Sequence, residues 1–88
     1  MSYIAGVDIG NSTTEVCVGE VTDRGNVTFL TSASCPTTGT KGTIENVYSV
    51  KNALKLAMSR IGRETSDIDL VRLNEAAPVI GEIGRAHV

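Results

Sequence analysis

Short apolar runs along the chain are separated by clusters of turn-forming residues. Residues 3–9, YIAGVDI, are apolar and rich in β-formers and predict a buried strand. Residues 14–21, TEVCVGEV, predict a second strand, with Val16 and Val18 on one face and Cys17 and Val21 on the other. TDRGN, 22–26, is a turn by composition. VTFLTSASC, 27–35, alternates and predicts a third strand, so the first three strands form an antiparallel meander. PTTGTKGT, 36–43, is a loop, and Thr43 is placed to cap a helix. From Ile44 the apolar positions Val47, Tyr48, Val50, Leu54, Ala57, Met58 and Ile61 recur at spacings that lay them on one helical face. Gly62 stands where a glycine would end that helix. RETSDID is a polar connector to a short strand, LVRL, at 70–73. The predicted order is β-β-β-α-β, an α/β layer arrangement in which one helix covers one sheet face and the other face needs a partner.

Composition narrows the picture. With 88 residues the chain accommodates at most one small domain. Aromatic residues make up 3% and Trp is absent, so Val, Ile, Leu and Ala must build the core. A net charge of −2 with no basic stripe argues against nucleic-acid binding. No apolar run approaches the ~20 residues of a membrane span, and the N-terminus lacks the basic start and cleavage site of a secretory signal. The expectation is a cytoplasmic protein, with association with a bacterial microcompartment left open. Cys17 and Cys35, far apart and without a CxxC partner, are expected to be small buried hydrophobes, and with His87 the only histidine no zinc site can be assembled.

The segment DIGNST, 8–13, admits two readings. Gly10-Asn11 can be a plain strand-to-strand turn, since both residue types accept positive φ. Alternatively the turn is a phosphate cradle. Gly10 lets a ligand approach the backbone, successive N–H groups can point at an anion, and the hydroxyls of Ser12, Thr13 and Thr14 add donors. Asp8 would repel a phosphate directly. It suits a Mg²⁺ ion held through water, because Mg²⁺ takes few carboxylates and keeps its waters.

This turn resembles the first phosphate motif of the actin-like ATPase superfamily, which includes actin, Hsp70 chaperones and sugar kinases. The stretches YIAGVDIGNSTTEV (3–16), TTGTKGT (37–43) and LNEAAPVIG (73–81) together resemble the N-terminus of the large (alpha) subunit of diol dehydratase or glycerol dehydratase reactivase. The resemblance covers roughly residues 1–81. It implies the leading β-β-β-α-β part of an actin-like ATPase lobe of the ribonuclease H-like kind, truncated. It also implies an ATP-hydrolysing, chaperone-like protein that works with a small subunit. The complex would open a cobalamin-dependent dehydratase so that damaged cofactor leaves and fresh adenosylcobalamin enters. Residue by residue, Asp8, Gly10, Asn11, Ser12 and Thr13 fall on the family's first phosphate turn, for ATP or ADP with Mg²⁺, and Asp8 is the metal residue. The resemblance names no catalytic residue here. The family's second phosphate turn and adenosine pocket are not among these residues, so the 88 residues by themselves are expected not to hydrolyse ATP. A sugar kinase-like phosphotransferase, or a non-catalytic interaction module in which the turn only shapes a hairpin, are the alternatives.

Other residues carry weaker signals. GTKGT, 39–43, lacks the spacing of a Walker loop, and Lys41 is expected to be a solvated loop residue, with a phosphate or a partner protein as the second option. Glu64, Asp67 and Asp69 read as a solvent-facing acidic connector, and Glu75 as a polar residue just past a strand end. The resemblance stops near Gly81. Residues 83–88, IGRAHV, back-translate as ATC GGA AGA GCA CAC GTC, the start of a common sequencing adapter in which a stop codon follows. Residues 82–88 are therefore expected to be a non-native tail, and His87 no basis for chemistry.

Overall fold

The computed structural model describes residues 2–74. Glu75, His87, the tail 82–88 and most of the stretch 73–81 lie outside the described residues. The elements are β1 (Ser2–Ile9), β2 (Thr13–Val21), β3 (Val27–Pro36), α1 (Asn46–Arg60), a single 3-10 turn (Thr65–Asp67) and β4 (Ile68–Asn74). Sheet order is β3-β2-β1-β4, with β1, β2 and β3 antiparallel and β4 parallel to β1. This is the expected meander followed by a helical crossover to a parallel strand.

Period-2 patterning decides which side chains are covered. Ala5, Val7 and Ile9 of β1, Thr14, Val16 and Val18 of β2, and Thr31 and Ala33 of β3 face α1 and are buried. From the helix come Ala53, Leu54, Ala57 and Met58. Each of the larger side chains contributes about 1.5–3 kcal/mol by leaving water. The helix packs over β2 and β3 and only lightly on β1. Val71 and Leu73 of β4, on the same face, are therefore left nearly half exposed.

The helix departs from expectation at its start. Its first turn was placed on Ile44, Val47 and Tyr48, but Ile44 is 82% exposed and Tyr48 65%. The inward positions there are Asn46 and Ser49, two polar residues. Nor is Thr43 the cap. Its hydroxyl donates to the Thr40 carbonyl at 2.6 Å, and helical structure begins three residues later. The first three N–H groups of the helix donate to the carbonyls of Thr43, Ile44 and Glu45, and the Thr38 hydroxyl accepts the N–H of Ser49 at 2.9 Å. The C-terminus behaves as predicted. Gly62 N–H donates to the Ser59 carbonyl at 3.1 Å and Arg63 N–H to the Met58 carbonyl at 2.9 Å, the paired bonds of a glycine-terminated helix.

The acidic connector faces solvent, as expected, and two of its carboxylates also make local bonds. Asp69 accepts the Tyr3 N–H at 2.9 Å, next to the irregularity between Tyr3 and Ile4 in the β1–β4 pairing. Asp67 accepts the Glu64 N–H at 3.0 Å. The Arg63 guanidinium lies 5.6 Å from the centre of the Tyr3 ring, which ties the helix exit to the same strand.

The opposite sheet face is open, as the pattern required. Ile4, Gly6, Cys17, Gly19, Val27 and Phe29 line a shallow depression there, with Phe29 65% exposed. Cys17 is consequently exposed, contrary to the buried role expected of it, because its strand parity turns it away from α1. Cys35 is half-buried and packs against the core.

Candidate functional site

Residues 10–12 connect β1 to β2, and the turn 10–13 is closed by Gly10 N–H donating to the Thr13 carbonyl at 2.9 Å. No residue of this turn has a positive φ, so glycine is not there for that reason. It is there because a Cβ at position 10 would lie 2.8 Å from the Thr13 carbonyl oxygen. Asn11, Ser12 and Thr13 are exposed on the turn. The N–H groups of Asn11 and Ser12 meet no acceptor among the described residues. Asp8, one residue before the end of β1, is exposed on the open face, by the alternation that buries Val7 and Ile9. The structure thus brings together the five residues singled out in the sequence.

Thr14 does not belong with them. Its parity on β2 turns it towards α1, where it is fully buried. Its hydroxyl lies 2.9 Å from that of Thr37 and 3.2 Å from that of Ser49. Thr37 donates onward to the Gly10 carbonyl at 2.8 Å, and Ser49 to the Asn46 carbonyl at 3.0 Å. Each hydroxyl has one proton, so with Thr37 and Ser49 donating to those carbonyls Thr14 can donate to only one of the two at a time. The backbone of Thr37 also donates to the Ser12 carbonyl at 2.8 Å. This hydroxyl chain was not foreseen. The available signal was a threonine at an inward parity position, which in a buried setting must find partners.

The loop that presents Thr37 is itself pinned to α1. Asn46, 5% exposed, donates to the Thr38 carbonyl at 2.7 Å and the Thr40 carbonyl at 3.2 Å, and accepts the Gly42 N–H at 2.8 Å. Thr38 donates to the Glu45 carbonyl. Gly39 has φ +71°, and a Cβ there would meet the Glu45 Cβ at 2.4 Å, so only glycine fits. The Glu45 carboxyl is held below its ordinary range by its own backbone N–H and, to a lesser degree, by the Thr43 hydroxyl. Lys41 is half-buried in this loop.

A second carboxylate was also missed. Glu15 stands directly opposite Asp8 in the antiparallel register, so both project from the open face. Paired positions place their Cβ atoms about 4.5–5.5 Å apart, where like charges repel unless a cation or a donor intervenes. No group of three or more metal-ligating side chains exists among the described residues.

The chain is 49% identical over 83 residues to the propanediol dehydratase-reactivating factor large subunit of Citrobacter freundii, a match that covers 94% of this chain. Over almost its whole length the chain is similar to dehydratase-reactivating factor large subunits. Among solved structures, the diol dehydratase-reactivating factor in nucleotide-free form superposes with a TM-score of 0.84 at 49% identity over 89% of this chain. Glycerol dehydratase reactivase superposes at 0.75 with 39% identity over 85% of this chain. The Aquifex aeolicus Ppx/GppA phosphatase, at 16% identity and a TM-score of 0.52, covers 85% of this chain and shares the fold alone. That fold is the leading β-β-β-α-β part of an actin-like ATPase lobe. No protein-family model matches the chain. The chain spans 14% of the length of its Citrobacter relative, and 13% and 12% of the two reactivase structures. No helix among the described residues is long and apolar enough to cross a membrane.

Proposed function

We propose that the chain supplies the first phosphate-binding turn of an ATP-dependent reactivase, a chaperone-like protein that releases damaged cobalamin from an inactivated dehydratase. The observation that carries this reading is the braced turn 10–13, with exposed polar residues on it and Asp8 beside it, in a sequence half identical to reactivating factors. Gly10, Asn11, Ser12 and Thr13 form the phosphate-facing turn, with the N–H groups of Asn11 and Ser12 and the hydroxyls of Ser12 and Thr13 donating to phosphate oxygens. Bound Mg²⁺ would neutralise phosphate charge and polarise the transferring group. Asp8 would hold the ion's water ligands, and Glu15 adds negative charge next to it. The higher identity to the diol and propanediol factors than to glycerol dehydratase reactivase favours a diol dehydratase as the partner. The reactivase small subunit is the second partner.

The test uses a full-length protein carrying this sequence, purified with its small subunit. Diol dehydratase loaded with an inactive cobalamin should regain activity when ATP, Mg²⁺ and adenosylcobalamin are supplied, and not when ATP is omitted. Recovery that is independent of the reactivase or of ATP would refute the proposal. A requirement for a small-molecule phosphate acceptor would point instead to a sugar kinase-like phosphotransferase.

A further inference from the structure

We infer that Thr37 is the positioning residue of the phosphate turn, the single side chain that holds its backbone in binding geometry. The inference rests on the nucleotide-binding reading of that turn. A three-residue connection closed by one hydrogen bond has little rigidity of its own. Two of its carbonyls, those of Gly10 and Ser12, are taken by one residue from a distant loop, through the Thr37 hydroxyl and the Thr37 N–H, each at 2.8 Å. Carbonyl oxygens turned towards an anion would repel it. Holding these two oxygens on Thr37 keeps them away from the ligand side and leaves the N–H groups of Asn11 and Ser12 as donors.

The grip is firm because Thr37 is itself held. Its hydroxyl is backed by the buried Thr14, and Thr14 by Ser49 of α1. Its neighbour Thr38 accepts the Ser49 N–H and donates to the Glu45 carbonyl, so residues 37 and 38 are fixed to the start of the helix. Thr37 therefore joins the turn to the start of α1. It is half-buried and not expected to touch the nucleotide. It acts through Gly10 and Ser12.

The test compares Thr37→Val, which keeps the shape and loses the hydroxyl, with Thr37→Ser, which keeps the hydroxyl, in the full-length protein. Mg²⁺-ATP affinity should fall by about tenfold in Thr37→Val, with KM raised by a similar factor and kcat changed less, and Thr37→Ser should recover binding to within about twofold of wild type. A nucleotide-free melt shows whether each variant is folded. Asp8→Asn is measured alongside. If Thr37→Val binds as wild type while Asp8→Asn loses Mg²⁺-ATP, the positioning role is wrong and the phosphate turn stands. If both bind as wild type, the phosphate-turn reading itself falls. Amide exchange on the wild-type protein settles the case in which Thr37→Val does not fold. The Thr37 N–H should exchange more slowly with Mg²⁺-ATP bound. Exchange unchanged at Thr37 while residues 10–13 become protected would overturn the inference.

Discussion

Adding one methyl group at Gly10 tests the turn at its tightest point. In Gly10→Ala the new Cβ would sit 2.8 Å from the Thr13 carbonyl oxygen, where ordinary contact begins at 3.4 Å. That oxygen accepts the Gly10 N–H at 2.9 Å, so relieving the clash draws apart the two groups that close the turn. A withdrawal of roughly 0.6 Å takes the bond past the useful range for N–H to oxygen. The loss is about 0.5–1.5 kcal/mol for the bond, with a similar amount for residual strain, hence about 1–3 kcal/mol in all. Backbone φ adds no penalty, because Gly10 is not in the left-handed region. Scanning calorimetry of the nucleotide-free full-length protein should show the transition of this lobe lowered by roughly 2–4 °C per kcal/mol lost. Mg²⁺-ATP binding should weaken beyond what the lower stability accounts for. A variant that melts and binds as wild type would refute the reasoning, since the turn would then have slack that the structure does not show.

Met58 is fully buried between α1 and the sheet, and Met58→Ala should cost about 2–5 kcal/mol in a denaturant melt; a cost below about 1 kcal/mol would mean the helix packs loosely. The Glu45 carboxyl titrates below its ordinary value in the folded state, held there by its own backbone N–H and then by the Thr43 hydroxyl, so its stabilising contribution is present above the ordinary value and is lost as pH falls through the lower folded one. The stability difference between wild type and Glu45→Gln should therefore be level near neutral pH and shrink only in the acid range, and a difference growing on acidification would reverse the sign. The 88-residue chain by itself should aggregate or melt broadly, because Phe29 and Val27 on one face and Val71 and Leu73 on the other lack cover. It should also show no ATP turnover above an Asp8→Ala blank, because one turn cannot position an attacking water; a sharp monomeric melt or steady hydrolysis would contradict these expectations.

The strands were legible because their patterning is strong. Val16 and Val18 alternate with Glu15 and Cys17, and the structure buries the first pair and exposes the second. Strand ends moved by one or two residues, most at β4, which begins at Ile68 because Ile68 pairs with Tyr3. The helix start was misjudged because apolar spacing cannot tell Ile44, exposed on a loop, from a core position. The inward residues Asn46 and Ser49 are polar for a reason that lies in the loop they bind. The turn after Ile9 was legible as a turn, but what braces it was not. Thr37 and Ser49 reach Thr14 across 23 and 35 residues of sequence, and only tertiary structure sets that meeting. The role of Gly10 was legible in kind and not in cause, since close approach to Thr13 and not positive φ demands it.

Calorimetric titration of ATP into the full-length protein, with and without Mg²⁺, on wild type and Asp8→Asn, tests the central claim most directly. The substitution is nearly isosteric and lies on the exposed face of β1, so the nucleotide-free melt should move little. Mg²⁺-dependent affinity should fall, and ATP hydrolysis should drop by a factor on the order of 10², equivalent to ~2.7 kcal/mol of transition-state stabilisation. Asp8→Asn retaining wild-type Mg²⁺-ATP affinity and turnover would contradict the account and leave residues 8–13 as a hairpin turn alone.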